Sequence, residues 1–101
     1  MPRAPKGASA AAKRALVWVE AGFGGDNLTR VGLARANQLA NDENISDETI
    51  QRMRSFFARH GNYRSTKWEI KDGAPTPWRV AWDLWGGDAG RDWVSQERFD
   101  K

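Results

Sequence analysis

Three of the six tryptophans in this 101-residue chain fall at Trp78, Trp82 and Trp85, and Ala81 completes an i, i+3, i+4, i+7 set. That spacing puts side chains on one face of a helix. Fully burying one aromatic side chain contributes roughly 1.5–3 kcal/mol, so the stripe demands cover from other elements. Thr76-Pro77 gives the helix an N-cap followed by proline at the first helical position, and Gly86-Gly87 ends it. Val80 and Leu84 lie on its flank, and Arg79 and Asp83, four apart, pair on its polar side. This is the expected central helix of a Trp-rich core.

Four further helices are legible around it. The run from Ala8 to Glu20 has high helix propensity, with Ala12, Ala15, Leu16 and Val19 on one face and Gly22 and Gly24-Gly25 as its stop. Thr29 caps a second helix, stapled by Leu28 and Leu33, whose apolar positions are Leu33, Ala36, Leu39 and Ala40. Ser46 caps a third, with an Ile45–Ile50 staple, Asp47 and Glu48 in its first turn, and Ile50, Met53, Phe56 and Phe57 as its stripe. A last short helix, capped by Asp88, holds Trp93, Val94 and Phe99. Residues 61–76 read as a long loop with a short extended piece at Lys67-Trp68-Glu69-Ile70. The expected fold is all-α or mostly α: a compact bundle of about five short helices, with residues 1–10 as a disordered basic tail and 11–101 as a single domain.

Several function classes drop out. There is no cysteine, hence no disulfide and no thiolate metal site. No apolar run approaches the roughly 20 residues a membrane span needs, and Met1 to Gly7 lead into no apolar secretory segment. The expectation is a protein made and used inside a cell.

The net charge of +3 is unevenly spread. Residues 1–14 carry Arg3, Lys6, Lys13 and Arg14 and no acid, whereas residues 15–50 set two arginines against six acids. Residues 51–79 hold seven cations against Glu69 and Asp72, a local +5, and residues 80–101 return to −2. A basic centre and a basic tail suit a polyanionic partner. An unevenly charged solvated surface is the plainer alternative.

His60 is the only histidine, so a metal site or catalytic dyad built on it lacks partners; bonding to a carbonyl at a helix end is its simpler role. Asp83, Asp88 and Asp92 could be imagined as a hard-metal cluster, but an ion pair, a helix cap and a first-turn position account for them. The Gly86–Arg91 segment could form a phosphate nest, with a tight structural turn as the competing account. Tyr63 and Trp68 sit among Arg64, Lys67 and Lys71, and aromatics interleaved with cations suit single-stranded nucleic acid; Trp68 could equally pin the loop to the core. Arg52 and Arg59 lie seven apart on the exposed side of the third helix, with Ser55 between them, a face able to lie along phosphates. The Asn41–Ile45 connection is longer than a helix-turn-helix turn, and Asp47 and Glu48 occupy the recognition start, which disfavours base reading in the major groove.

Two segments, Met53-Arg54-Ser55-Phe56-Phe57-Ala58-Arg59-His60 and the run from Val80 to Trp93, resemble a small module of tailed bacteriophages, found alone or joined to head-maturation and other virion-associated proteins. The likeness runs from about Ala12 to Trp93, and the stretch Gly61-Asn62-Tyr63-Arg64 departs from it. It implies a phage setting, in the host cytoplasm or the virion. The expected function is non-enzymatic binding of nucleic acid, DNA above all, through residues 52–79. Arg52, Arg59, Arg64, Lys67 and Lys71 would contact phosphates, and Trp68 and Tyr63 would stack. No metal, cofactor, membrane or small-molecule substrate is expected. A virion assembly module that docks on head proteins is the alternative, and an inhibitor of a host enzyme the third.

Overall fold

The computed structural model describes residues 3–23, 29–61, 70–71 and 74–99, of which 70–71 by backbone alone. Within them run α1 (Lys6–Glu20), α2 (Arg30–Ala40), α3 (Asp47–His60), β1 (Ile70–Lys71), β2 (Ala74–Pro75), α4 (Pro77–Leu84), α5 (Gly87–Val94) and a 3₁₀ turn (Glu97–Phe99). This is a bundle of five helices. Among the described residues no helix is long and apolar enough to cross a membrane.

Three helix starts stand where side-chain chemistry puts them. The hydroxyls of Thr29, Ser46 and Thr76 accept from the backbone N–H groups of Gly32 (3.0 Å), Thr49 (3.2 Å) and Arg79 (3.2 Å), each satisfying an otherwise orphaned donor. Helix α1 closes through Gly22 (φ 94°), whose N–H donates to the Val19 carbonyl at 3.0 Å while that of Phe23 reaches Trp18 at 2.9 Å. Ile45 and Ile50, the staple of α3, are both fully buried. Leu28 and Gly24-Gly25, assigned to the start of α2 and the stop of α1, lie outside the described residues.

The chain is ordered earlier than its composition suggests. Helix α1 begins at Lys6, Arg3 bridges to Asn44, and Ala8 and Ser9 are buried. The expected tail of residues 1–10 is therefore corrected at its inner end, because α1 packs on the Gly86–Gly90 segment. A Cβ built on Gly87 would lie 2.9 Å from the Ala11 Cβ, and one on Gly86 3.4 Å from that of Ala8. Alanines on one side and glycines on the other bring the two backbones close together. Gly86 (φ 112°) and Gly87 (φ 64°) also hold left-handed angles. Gly87→Ala is expected to cost about 2–4 kcal/mol, combining left-handed strain with overpacking; a loss under about 1 kcal/mol in chemical denaturation would contradict this packing.

Helix α4 lies at the centre of the core, touching α1, α2, α3 and α5. Trp82 is 2% exposed and Trp85 9%, while Val80 and Leu84, expected on a flank, are equally buried. Trp82 meets Phe57 edge to face at 4.8 Å, and Trp85 stacks on Phe56 at 4.7 Å and 10°, geometries that aromatic quadrupoles favour. Arg54 on α3 donates to the carbonyls of Val94 and Gln96, tying α3 to the end of α5.

Four expectations are corrected. Asp88 does not cap α5: the helix starts at Gly87 after Gly86, and the Asp88 carboxylate instead accepts the Trp82 indole N–H at 3.0 Å. Asp83 is on no polar face, being 1% exposed. Phe99 belongs to the separate 3₁₀ turn, where it packs edge to face on Trp93. The long loop contains an antiparallel pair, Ile70 opposite Pro75 and Lys71 opposite Ala74, where only an extended piece ending at Ile70 was expected.

A candidate nucleic-acid interface

Helix α3 turns one side chain in every three or four toward a groove of about 600 Å³ shared with α2 and α4. The stripe is Glu48, Arg52, Ser55 and Arg59, successive turns of the helix. Across from it stand Thr29, Val31 and Gly32 at the start of α2, and the floor is Ala81, Leu84 and Trp85 of α4 with Phe56 and His60 of α3. Val31 is 47% exposed at the rim, one of the two large apolar side chains left open to solvent among the described residues. The volume falls within the range usual for ligand sites, and an apolar floor under a few polar groups is their common design.

The floor is aromatic. Phe56 is stacked between His60 (4.2 Å, 17°) and Trp85 (4.7 Å, 10°), so three near-parallel rings line the groove. The His60 Nδ1 donates to the Phe56 carbonyl at 3.1 Å, the helix-end bond expected of it.

The rim is cationic. Arg52 pairs with Glu48 at 2.7 Å, but both side chains are more than half exposed, and a surface i, i+4 pair holds its partners weakly. Arg59 is exposed and, among the described residues, has no carboxylate partner. Behind the Trp85 ring sits Arg35, 6% exposed, its guanidinium 5.5 Å from the ring centroid. It donates to Gln38, and among the described residues its Nε has no hydrogen-bond partner and no acid pairs with it. Burial first, and then the charge of nearby Arg52, hold its pKa below the ordinary arginine value. A buried cation without a counter-ion is costly.

Of the residues expected to bind, Arg52 and Arg59 stand together on the groove. Tyr63, Arg64, Lys67 and Trp68 lie outside the described residues, as does the Lys71 side chain, whose backbone is in β1. Arg79, within the expected basic surface, faces inward and bonds Asp83 at 3.1 Å. The three aspartates do not converge: Asp83 accepts from Arg14 and Arg79, Asp88 from Trp82, and exposed Asp92 from Arg91. Among the described residues no three His, Cys, Asp or Glu side chains could together hold a metal ion. The glycine turn at 86–90 receives α1, which fills the space an anion nest would need.

Compared with protein-family models, curated proteins and solved structures, the chain matches none of them.

Proposed function

We propose that this chain is a non-enzymatic accessory protein of a tailed bacteriophage that binds nucleic acid, DNA above all, with little regard to sequence. The observation that carries the reading is the pair of exposed guanidiniums, Arg52 and Arg59, set along one helix stripe above an aromatic groove. The local excess of cations over residues 51–79 supports it, and the likeness of residues 12–93 to a phage module supplies the setting, in the host cytoplasm or the virion.

Phosphate contacts release condensed counter-ions, so affinity should fall with salt by a slope of about −0.7 to −0.9 per phosphate neutralised. Arg52→Gln and Arg59→Gln are each expected to weaken binding across all sequences and to reduce that slope by about 1. A gel-shift series from low to moderate salt checks this. Binding that ignores salt, or is untouched by both substitutions, would sink it. The exposed Val31 on an apolar groove favours a second reading, a virion assembly module seating a protein side chain there; that complex would persist as salt rises.

A further inference from the structure

The cations near the start of the chain are the charged feature that the groove leaves unused. They stand on a helix, not on a tail. Lys6 and Lys13 are exposed on α1, seven residues and so roughly 10 Å apart along one side of it, with exposed Ala10 between them. Among the described residues neither lysine pairs with a carboxylate, and no acid precedes Glu20 in the chain. Arg14, next to Lys13, bonds Asp83 yet keeps 47% of its side chain exposed. Folding alone gives no reason for this order of charge. Helix α3 sets its charges with the helix dipole, Asp47 and Glu48 in its first turn and Arg59 and His60 in its last. Helix α1 does the reverse, with Lys6 at its positive end and Glu20 at its negative end, at some cost in stability.

The two cationic helices occupy different sides of the bundle. Four helices surround α4: α1 packs on α2 and α5, α3 packs on α5, and the groove parts α3 from α2. Gly90 of α5 lies between the buried sides of α1 and α3, where a Cβ would be 3.8 Å from Ala8 and 3.5 Å from Phe57. Each helix turns its apolar side inward, Ala8, Ala12 and Ala15 on α1 and Ile50, Met53 and Phe57 on α3. Lys6 and Lys13 therefore face solvent away from Arg52 and Arg59. We infer that one molecule joins two segments of DNA, the first held by Arg52 and Arg59 on α3 and the second by Lys6 and Lys13 on α1. Charge complementarity commits the α1 face to a phosphate backbone, and its cations have the same seven-residue spacing as the pair on α3. That second site rests on the nucleic-acid reading above and adds to it the tethering of separate segments.

The test uses the full chain and two thirty-base-pair duplexes, one biotinylated and held on streptavidin beads, the other fluorescein-labelled and free. The chain should carry the labelled duplex onto the beads. A bridge neutralises phosphates on both segments, so bridging should fall with salt more steeply than binding of one duplex, by a slope of about −1.8 for two further contacts. The double variant Lys6→Gln/Lys13→Gln should cut the retained label on the order of tenfold and remove that added slope. Its gel-shift affinity for one duplex, set by Arg52 and Arg59, should stay within about threefold of the parent's. Lys6→Arg/Lys13→Arg keeps the charge and should keep the bridge. Both lysines are exposed and Lys6 opposes the dipole, so the glutamine variant should melt no lower than the parent.

Binding of one duplex with no label on the beads would overturn the second site and leave the nucleic-acid reading standing. Bridging untouched by Lys6→Gln/Lys13→Gln would overturn it also, since two copies of the chain would then be joining the segments through α3 alone. If that same variant had lost binding to phosphatidylserine vesicles, the α1 face would belong to a membrane surface. Failure of the parent chain to bind either duplex would instead remove the reading on which the second site rests.

Discussion

Asp83→Ala should lower stability by about 3–5 kcal/mol, the loss expected when one member of a buried ion pair is removed. The carboxylate is 1% exposed and its Oδ2 accepts from the Nε of both Arg14 (3.0 Å) and Arg79 (3.1 Å), helices α1 and α4 meeting through one atom. The two arginines are not equivalent. The Arg79 side chain is 20% exposed and the Arg14 side chain 47%, so deleting the acid takes a carboxylate from Arg79 in a poorly solvated place, while Arg14 can turn to water. Arg14→Ala should therefore cost less than about 1 kcal/mol, and Arg79→Ala an intermediate amount. Both guanidiniums also lie 5.8 Å from the Trp18 ring centroid, so part of either loss is packing of the indole. Urea unfolding of the three variants gives the ranking. An Asp83→Ala loss no larger than that of Arg14→Ala would mean that the carboxylate is solvated and the pair is decoration.

This position also marks where sequence patterning stopped being a guide. An Arg79–Asp83 pair is predicted by spacing alone, and it forms. That it forms inside the protein depends on α1 crossing α4 at Arg14, a contact 69 residues apart in the chain which no local pattern encodes. The caps were legible because their chemistry is local: a hydroxyl at Thr29, Ser46 or Thr76 needs only the N–H three residues on. Asp88 carries the same signature and was claimed by the Trp82 indole instead, because a buried N–H must find an acceptor and Asp88 is within reach.

The candidate site was half visible. Arg52, Ser55 and Arg59 follow from helical spacing on α3, and the wall they form is real. What lies opposite was missed because the apolar stripe of α2 is flanked by two further buried positions that carry no apolar side chain. The stripe Leu33, Ala36, Leu39 and Ala40 does face the core, with Ala36 and Leu39 fully buried and Leu33 and Ala40 packed against it, and Gly32 and Arg35 are buried beside it. Hydrophobic periodicity marks only apolar side chains, so a buried glycine and a buried arginine on the same side leave no trace in it. In the structure Arg35 is held there by Gln38 and by the Trp85 ring, partners that only the fold brings to it.

Trp82→Ala is the other substitution with a large expected effect, about 3–5 kcal/mol, as for other large-to-small changes of buried aromatics. Three kinds of interaction end with the ring. It fills the largest fully buried side-chain site among the described residues, it packs edge to face on Phe57, and its N–H donates to Asp88 while Arg91 lies 5.9 Å from its centroid. Trp82→Phe separates them: it keeps most of the volume and the ring contact but leaves the Asp88 carboxylate without the indole N–H, for a loss of about 1–2 kcal/mol. Trp78, on the same helix face one turn earlier, is half-buried, so Trp78→Ala should cost clearly less than Trp82→Ala. The comparison bears on the groove, whose floor includes buried Trp85 and so depends on α4 being anchored by Trp82. Equal losses at 78 and 82 would mean that the helix is rotated from this position, and that the groove beneath Arg52 and Arg59 has a different floor.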